Sequence, residues 1–566
     1  MRRAILYVTL FSLAALAPLA TAATKSEQPA AATKSQPKTA VTTAGLETIL
    51  QDDGLMLFRP AAEAQAAAAR MKAIGVDRVR ITASWSSLTR APESDHRPEN
   101  FDATDPAAYE QSRWRAIDNA VRAVRAAGME VLIDIGFWAP HWATSDEPGP
   151  RARTNIDPQS YADFAVAVAK RYSGGFAPAE ALAAPPPAPA EDETERQSIL
   201  QPLIPFPPGN EPPPPPSARA AQAAAAPERL PAVDEFVLWN EPNHQALLLP
   251  QWQPDGTTPA SPGVYRAMVR AAYPAVKAAR SKVKVLIGNT SSTGGKRGSG
   301  AVPPLEFVRE LACVDANLAP RTTPECANFT AVPGDGWAHH PYSQNERPSR
   351  VSNREKEPGD LRMADLPVLA DTLNKLVDTG RLAPANRDIY LTEFGYETTH
   401  VQGRPDVSEI QQARWLTWAE YLADRVPTVR SFAQFLLRDQ PPAAQRVSAS
   451  NARAFGEFTT GLLVSSGNDK MAARTFVAGL FAQLQRKHKV LLFGRLRLGA
   501  GPKTVLLQRQ PLQAPWKTVQ RLQIDGRSAF QRTIAHEPGT LYRITYPGLD
   551  GTRQRGLPTK PVPAGR

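Results

Sequence analysis

Between about Leu46 and Leu480 one theme recurs: a short β-branched or apolar run, followed by a stretch with apolar residues every three or four positions. This strand–helix alternation is what a parallel sheet wrapped in helices requires. The strand runs are Leu46–Leu50, Val76–Thr82, Glu130–Gly136, Glu235–Trp239, Val283–Gly288, Gly336–His340, Asp388–Thr392 and Ser431–Leu437. Helical periodicity fills Ala61–Ile74, Trp114–Ala127, Tyr161–Tyr172, Pro262–Ala279, Pro304–Leu311, Leu366–Asp378 and Glu409–Asp424, with a last helix expected over Lys470–Leu484. Eight strands with interleaved helices predict a closed (β/α)8 barrel rather than an open doubly wound sheet. No dinucleotide-binding glycine pattern follows any strand, which argues the same way. A barrel uses roughly 250 residues before insertions, so a chain of 566 residues has room for one more small domain.

The remaining segments have distinct compositions. Arg2 and Arg3, the apolar stretch Ala4–Ala17, Pro18 and Ala20-Thr21-Ala22 follow the order of a signal peptide over residues 1–22. The rival, a retained anchor, falls short of the ~20 apolar residues that a spanning helix needs. The expected location is therefore secreted, cell-surface or periplasmic, with no stable membrane span after signal removal. Residues 23–44, poor in apolar side chains, read as a flexible leader. The barrel domain, 45–484, is interrupted at 177–232 by an insertion with sixteen prolines. That insertion reads as extended and linker-like on the face opposite the active-site end of a barrel. From 485 to 557 short alternating runs separated by Gly499-Ala500-Gly501-Pro502 and Asp525-Gly526 predict a small β-sandwich, and 558–566 a frayed tail.

The formal charge of +11 is concentrated at one end. Phe481–Arg566 holds 16 Lys/Arg against 3 Asp/Glu, while the rest of the chain nets −2. Such a segment is either a solvated surface or one that adheres to acidic envelope polymers. Nucleic acid is not an expected partner, because no reader motif accompanies the charge. Cys313 and Cys326 are the only cysteines. In an oxidising compartment they read as a disulfide stapling a loop, since a metal site would want four ligands. No metal-ligand spacing appears among the eight histidines, and neither metal nor cofactor is expected.

Two strand ends carry the chemistry. Phe236-Val237-Leu238-Trp239-Asn240-Glu241-Pro242-Asn243 is an apolar strand ending in Asn-Glu, with Pro242 preventing its continuation. Three strands later Ile389-Tyr390-Leu391-Thr392-Glu393-Phe394-Gly395 repeats the arrangement. Barrel enzymes place catalytic groups at these C-terminal tips. Two carboxylates across a barrel mouth are what glycosidic hydrolysis needs. Each glutamate alone could equally be a solvated loop residue or a salt-bridge partner.

On these motifs the chain resembles glycoside hydrolase clan A, the cellulase-like and xylosidase-like barrel glycosidases, over roughly Leu46 to Leu480. The resemblance implies a retaining O-glycoside hydrolase acting on a polysaccharide or oligosaccharide. In it Glu241 would be the acid/base and Glu393 the nucleophile. Arg80 resembles the arginine beside the nucleophile, where a fixed cation would keep Glu393 ionised, and Asn240 the residue that binds the sugar 2-hydroxyl. His340 and Tyr342, in His339-His340-Pro341-Tyr342, look like the clan histidine and the tyrosine that orients the nucleophile. For Tyr342 the alternative is a loop anchor packed on Pro341. Trp85, Trp138 and His141, in the loops after strands two and three, are candidates to face the sugar. Clan members place a tryptophan at the end of strand eight. Here the sequence reads Phe432-Ala433-Gln434-Phe435, so Phe435 is the candidate for that platform and another loop the alternative.

Two rivals of other classes stand beside the enzyme. One is a carbohydrate-binding barrel without turnover, which loss of either glutamate would have favoured. The other is an envelope structural factor in which the basic C-terminal domain is the functional part.

Overall fold

The computed structural model of the chain describes residues 41–146, 149, 151–178, 228–298, 300–398, 406–441, 457–486, 488–548 and 551–563. After a short strand β1 (Val41–Ala44), eight strands close a parallel barrel in sequential order. They are β2 (Glu47–Gln51), β3 (Arg78–Ser84), β4 (Glu130–Gly136), β5 (Glu235–Leu238), β6 (Lys284–Thr290), β7 (Trp337–His339), β8 (Ile389–Leu391) and β9 (Val429–Phe435). The helices are α1 (Asp53–Leu57), α2 (Ala61–Ala73), α3 (Trp85–Leu88), α4 (Gln111–Ala126), α5 (Pro158–Arg171), α6 (Ser261–Ala279), α7 (Pro304–Leu311), α8 (Leu366–Asp378), α9 (Glu409–Asp424) and α10 (Met471–Val477). Their starts follow local chemistry. Asp157 caps α5 by accepting from Ser160 N, with Pro158 in the first turn. Ser408 and Gln411 form a capping box on α9.

The barrel interior is layered, as a packed barrel must be. At the N-terminal end Arg78 pairs with Glu47 (2.9 Å) and Glu235 (3.5 Å), and Lys284 with Glu235 (3.0 Å). Above this charged layer lies an apolar plug of Ile49, Leu132, Val237, Leu286, Ala338, Tyr390 and Ala433. Above the plug the interior becomes polar again, and that layer is the floor of the candidate site.

Seven further strands, together with β1, form a second region of two four-stranded antiparallel sheets. The strands are β10 (Ala478–Gln485), β11 (Lys489–Leu496), β12 (Pro502–Gln510), β13 (Lys517–Asp525), β14 (Ser528–Ala535), β15 (Leu541–Pro547) and β16 (Arg553–Arg555). The sheet orders are β1-β14-β11-β10 and β13-β12-β15-β16.

Three expectations at the domain edges are corrected. The last helix stops at Val477, and Ala478–Gln485 is a strand paired with Lys489–Leu496, so the β region begins before residue 485. Val41–Ala44, expected in a flexible leader, pair antiparallel with Ser528–Gln531 of β14. The expected frayed tail is held as far as Pro563: Thr559 N donates to Tyr542 O (2.9 Å), Val562 N to Thr540 O (3.1 Å), and Val562 is buried. Backbone hydrogen bonds to a sheet offset the ordering entropy that composition alone would leave unmatched. The ends of the insertion lie together, with Leu230 N on Phe176 O and Val233 N on Tyr172 O, both 2.9 Å. The insertion proper, 179–227, and the signal peptide lie outside the described residues.

The disulfide forms as expected, between Cys313 and Cys326 in the connection from α7 to β7. Among the described residues no helix is long and apolar enough to cross a membrane.

Candidate active site

The upper interior opens into a cleft of about 370 Å3. Its floor is Arg80, fully buried on β3. The guanidinium donates to Asp134 Oδ2 (2.7 Å) and Asn240 Oδ1 (2.8 Å) from one nitrogen, and to Gln51 and Glu393 from the other. Burial alone would lower this arginine, but the carboxylates of Asp134 and Glu393 more than offset it and raise it, so the cation is fixed. Asp134 is pushed up to about 6, because its burial outweighs the pull of Arg80.

Past the end of β5 the chain turns sharply. Trp239 and Glu241 both occupy the left-handed region, with φ of 64° and 39°, conformations that cost a non-glycine residue about 1–3 kcal/mol each. The turn is tied to β6 by Glu241 N donating to Asn289 O (3.0 Å). Asn240 and Glu241 consequently both line the cleft. Asn240 Oδ1 accepts from Arg80 and from Asn289 Nδ2 (3.1 Å), so its own amide group is the part left to face a ligand.

Glu393 stands opposite, one residue past Thr392 at the end of β8. Arg80 donates to its Oε1, and the Tyr342 hydroxyl to its Oε2 (3.1 Å). Burial, and then the charge of Glu393, push the Tyr342 phenol well above its ordinary range, so it remains a donor.

His340, fully buried, joins the two halves. Its Nδ1 lies 2.9 Å from Glu241 Oε1 and 3.7 Å from Glu393 Oε2, and its Nε2 lies 2.9 Å from Asn289 Oδ1. The Asn289 amide has one orientation. Its Nδ2 must donate to the carbonyl of Trp239 (2.8 Å), and its Oδ1 accepts from Thr392 Oγ1 (2.8 Å). The proton on His340 is thereby assigned to Nε2, and Nδ1 faces Glu241. Burial raises Glu241, but the hydrogen bond and positive potential of His340 outweigh it and bring the carboxyl below its ordinary value.

One oxygen from each glutamate and a ring nitrogen of His340 fall within 4.8 Å of one another. Among the described residues this is the one grouping whose donors could converge on a metal ion. The guanidinium of Arg80 already sits on Glu393 and would repel a second cation there, so the donor set does not suit a metal.

Apolar walls flank the carboxylates: Phe137, Trp138 and Leu247 on one side, Phe435, Leu436 and Phe458 on the other. The Trp138 indole donates to Ala246 O (2.9 Å), and the Arg151 guanidinium lies 4.6 Å from its ring centre. Phe435 meets Phe458 edge to face at 5.2 Å. The peptide bonds Phe137–Trp138 and Phe435–Leu436 are both cis.

The structure thus brings Arg80, Asn240, Glu241, His340, Tyr342 and Glu393 together, with Trp138 and Phe435 on the walls. Two expected ligand-facing residues are elsewhere. Trp85 starts the short helix α3, which rolls its ring under the surface: it is fully buried and stacked on Phe164 at 5.5 Å. His141 lies in a 3-10 turn, its Nε2 against Asp146 O and its Nδ1 2.9 Å from Asp95. It ties two loops together and does not line the cleft. Residues not expected from sequence are Gln51, Asp53, Asp134, His244, Asn289 and Phe458. Asp134 and Arg80 did carry a signal, each being a charge at an inward position of a barrel strand. Asn289 carried none, because it is turned inward by a register shift between β6 and β7.

No family model matches the chain, and no curated protein matches it in sequence. Solved structures that align with it include a monomeric β-xylosidase from Caulobacter crescentus CB15, at 12% identity over 88% of this chain and 97% of that one, with a TM-score of 0.40. CelM2, a bifunctional glucanase-xylanase from a metagenome library, aligns at 12% identity over 90% and 98%, with a TM-score of 0.38. The β-glycosidase of the hyperthermophile Thermosphaera aggregans aligns at 13% over 74% and 84%, also with a TM-score of 0.38.

Proposed function

We propose that the chain is a retaining O-glycoside hydrolase that cleaves a polysaccharide or oligosaccharide by double displacement. The observation that carries this reading is the pair of glutamates at the ends of β5 and β8, one oxygen of each within 4.8 Å of the other. Retaining enzymes hold the two carboxyl groups about 5–5.5 Å apart and inverting enzymes about 6.5–9.5 Å, with a water molecule between them; a nearest-oxygen approach of this size supports the shorter arrangement.

In the first step Glu393, oriented by Arg80 and Tyr342, attacks the anomeric carbon. The bond to the leaving oxygen breaks as Glu241 gives that oxygen its proton. The 2.9 Å contact of His340 Nδ1 with Glu241 Oε1 fixes the orientation of that carboxyl. In the second step water attacks the glycosyl-enzyme, Glu241 takes the water's proton, and Glu393 is released. Asn240, with its amide group free, suits a hydrogen bond to the sugar hydroxyl beside the anomeric carbon. Trp138 and Phe435 offer apolar faces to the ring.

The export reading of residues 1–22 puts this activity outside the cytoplasm, and the basic C-terminal region suits contact with acidic envelope polymers. Hydrolysis of a panel of aryl glycosides, with the anomer of the first product read by NMR before mutarotation, tests the central reading. Retained configuration is expected. An inverted product, or no hydrolysis of any member by the intact chain, overturns it.

A further inference from the structure

The outer face of the sheet β13-β12-β15-β16 is cationic and unpartnered. Alternation decides which side chains lie on it: Val505, Leu522 and Ile544 are buried inward, so their neighbours point out. Arg521 on β13 stands opposite Leu506, Leu506 opposite Thr545, and Thr545 opposite Arg555 on β16, a single row across the four strands. Neighbouring strands lie about 4.8 Å apart, so this row spans about 14 Å. Arg543 occupies the next row, its Nε donating to Gln508 Oε1 (2.8 Å) and its guanidinium 4.0 Å from the Trp516 ring. Arg553 reaches the same face and donates to Thr545 Oγ1 (3.1 Å).

None of these four arginines makes an ion pair among the described residues. The two acids of the region that lie among the described residues are engaged elsewhere: Asp525 accepts from the Gly501 and Arg527 amides (2.8 and 2.9 Å), and Glu537 pairs with Arg509 (3.1 Å). Burial first, and then repulsion by Arg555, lower Arg543, which agrees with the two guanidiniums being neighbours without an anion between them. Four like charges held on a rigid sheet repel one another, and an anionic ligand relieves that repulsion.

We propose that this face binds a carboxylated polysaccharide, independently of the chemistry in the barrel. A guanidinium fork matches a carboxylate in two parallel hydrogen bonds, and Gln508, Gln523 and Thr504 on the same face are suited to sugar hydroxyls. Nucleic acid fits less well, because the aromatic ring on the face, Trp516, is covered by Arg543 and offers no platform for stacking bases.

Binding of the full chain to polygalacturonate, followed by titration calorimetry at low and high salt, tests this. Glu393→Ala is introduced throughout, so that hydrolysis cannot alter the polymer and the result does not depend on the proposed activity. The chain should bind the polymer more weakly as salt rises and should ignore a neutral glucan. Replacing Arg521, Arg543, Arg553 and Arg555 together by Ala should weaken binding at least about tenfold, equivalent to about 1.4 kcal/mol. Replacing them by Lys should restore part of it. If the Ala variant melts differently from its parent, the pair Arg521→Gln and Arg555→Gln takes its place. Unchanged binding in the variant, equal binding to the neutral glucan, or equal or tighter binding to DNA of matched charge overturns the proposal.

Discussion

His340 presents Nδ1 to Glu241 at 2.9 Å while its other nitrogen lies 2.9 Å from Asn289 Oδ1, so the amide fixes which ring nitrogen faces the carboxyl. The arrangement makes Asn289, which does not line the cleft, a positioning residue. In selectively 15N-labelled protein His340 should carry a proton on Nε2. Asn289→Leu should release it to sample both tautomers and should lower kcat/KM most for substrates with poor leaving groups, which depend on the proton from Glu241. A single tautomer unchanged in Asn289→Leu would contradict this.

Roles for the two carboxylates can be separated by rescue. Glu393→Ala and Glu241→Ala should each reduce turnover of poor substrates by at least about a hundredfold. Azide should enter the space vacated in Glu393→Ala and yield a glycosyl azide of inverted configuration. In Glu241→Ala, substrates with good leaving groups should still form the covalent intermediate, and azide should then give a retained product. Equal loss toward all leaving groups in both variants would show the roles to be misassigned.

Trp85 and Trp138 both follow barrel strands but should fail differently when truncated. Trp85→Ala removes a fully buried ring and should destabilise the fold by about 3–5 kcal/mol. Trp138→Ala removes a cleft wall and should raise KM several-fold while leaving the denaturation midpoint nearly unchanged. Denaturant titrations beside Michaelis curves for both variants check the contrast.

Asp134 gives the fold a pH dependence. Its folded value of about 6 lies above the ordinary aspartate value, so the native state holds the proton more tightly than the unfolded chain. Its contribution is fully present below about pH 4 and is lost as pH rises through about 6. Asp134→Asn lacks this titration. The difference in unfolding free energy should therefore shift toward the Asn variant between pH 4 and 7.5, by up to about 3 kcal/mol. Parallel stability curves would rule the titration out.

Much of this was legible in the sequence where one physical signal acted alone. Glu130–Gly136 and Glu409–Asp424 have the expected bounds, because buried runs and 3.6-residue periodicity are local properties. The two glutamates were legible because a proline ends one strand and spacing relates the two. The segment after Val477 was misread because Val477, Leu480, Phe481 and Leu484 fit a helical stripe as well as a strand edge. Pairing with β11 decided it, together with Gly479, where an added Cβ would meet Thr417. Whether a loop aromatic faces the cleft was not legible at all. One turn of helix buries Trp85, whereas no such turn carries Trp138, and neither outcome follows from composition.

The weld between barrel and sheets has a practical consequence. Glu420 of α9 lies buried between Arg495 and Arg497 of the β region (3.0 and 2.7 Å), and Arg497 also donates to Thr48 on β2 (2.9 Å). Cutting the chain at the sequence boundary between them would strand a buried carboxylate without its counter-ions and remove the partner of β1. The two regions should accordingly melt in one calorimetric transition, and a protease that nicks between them should not release a self-standing barrel.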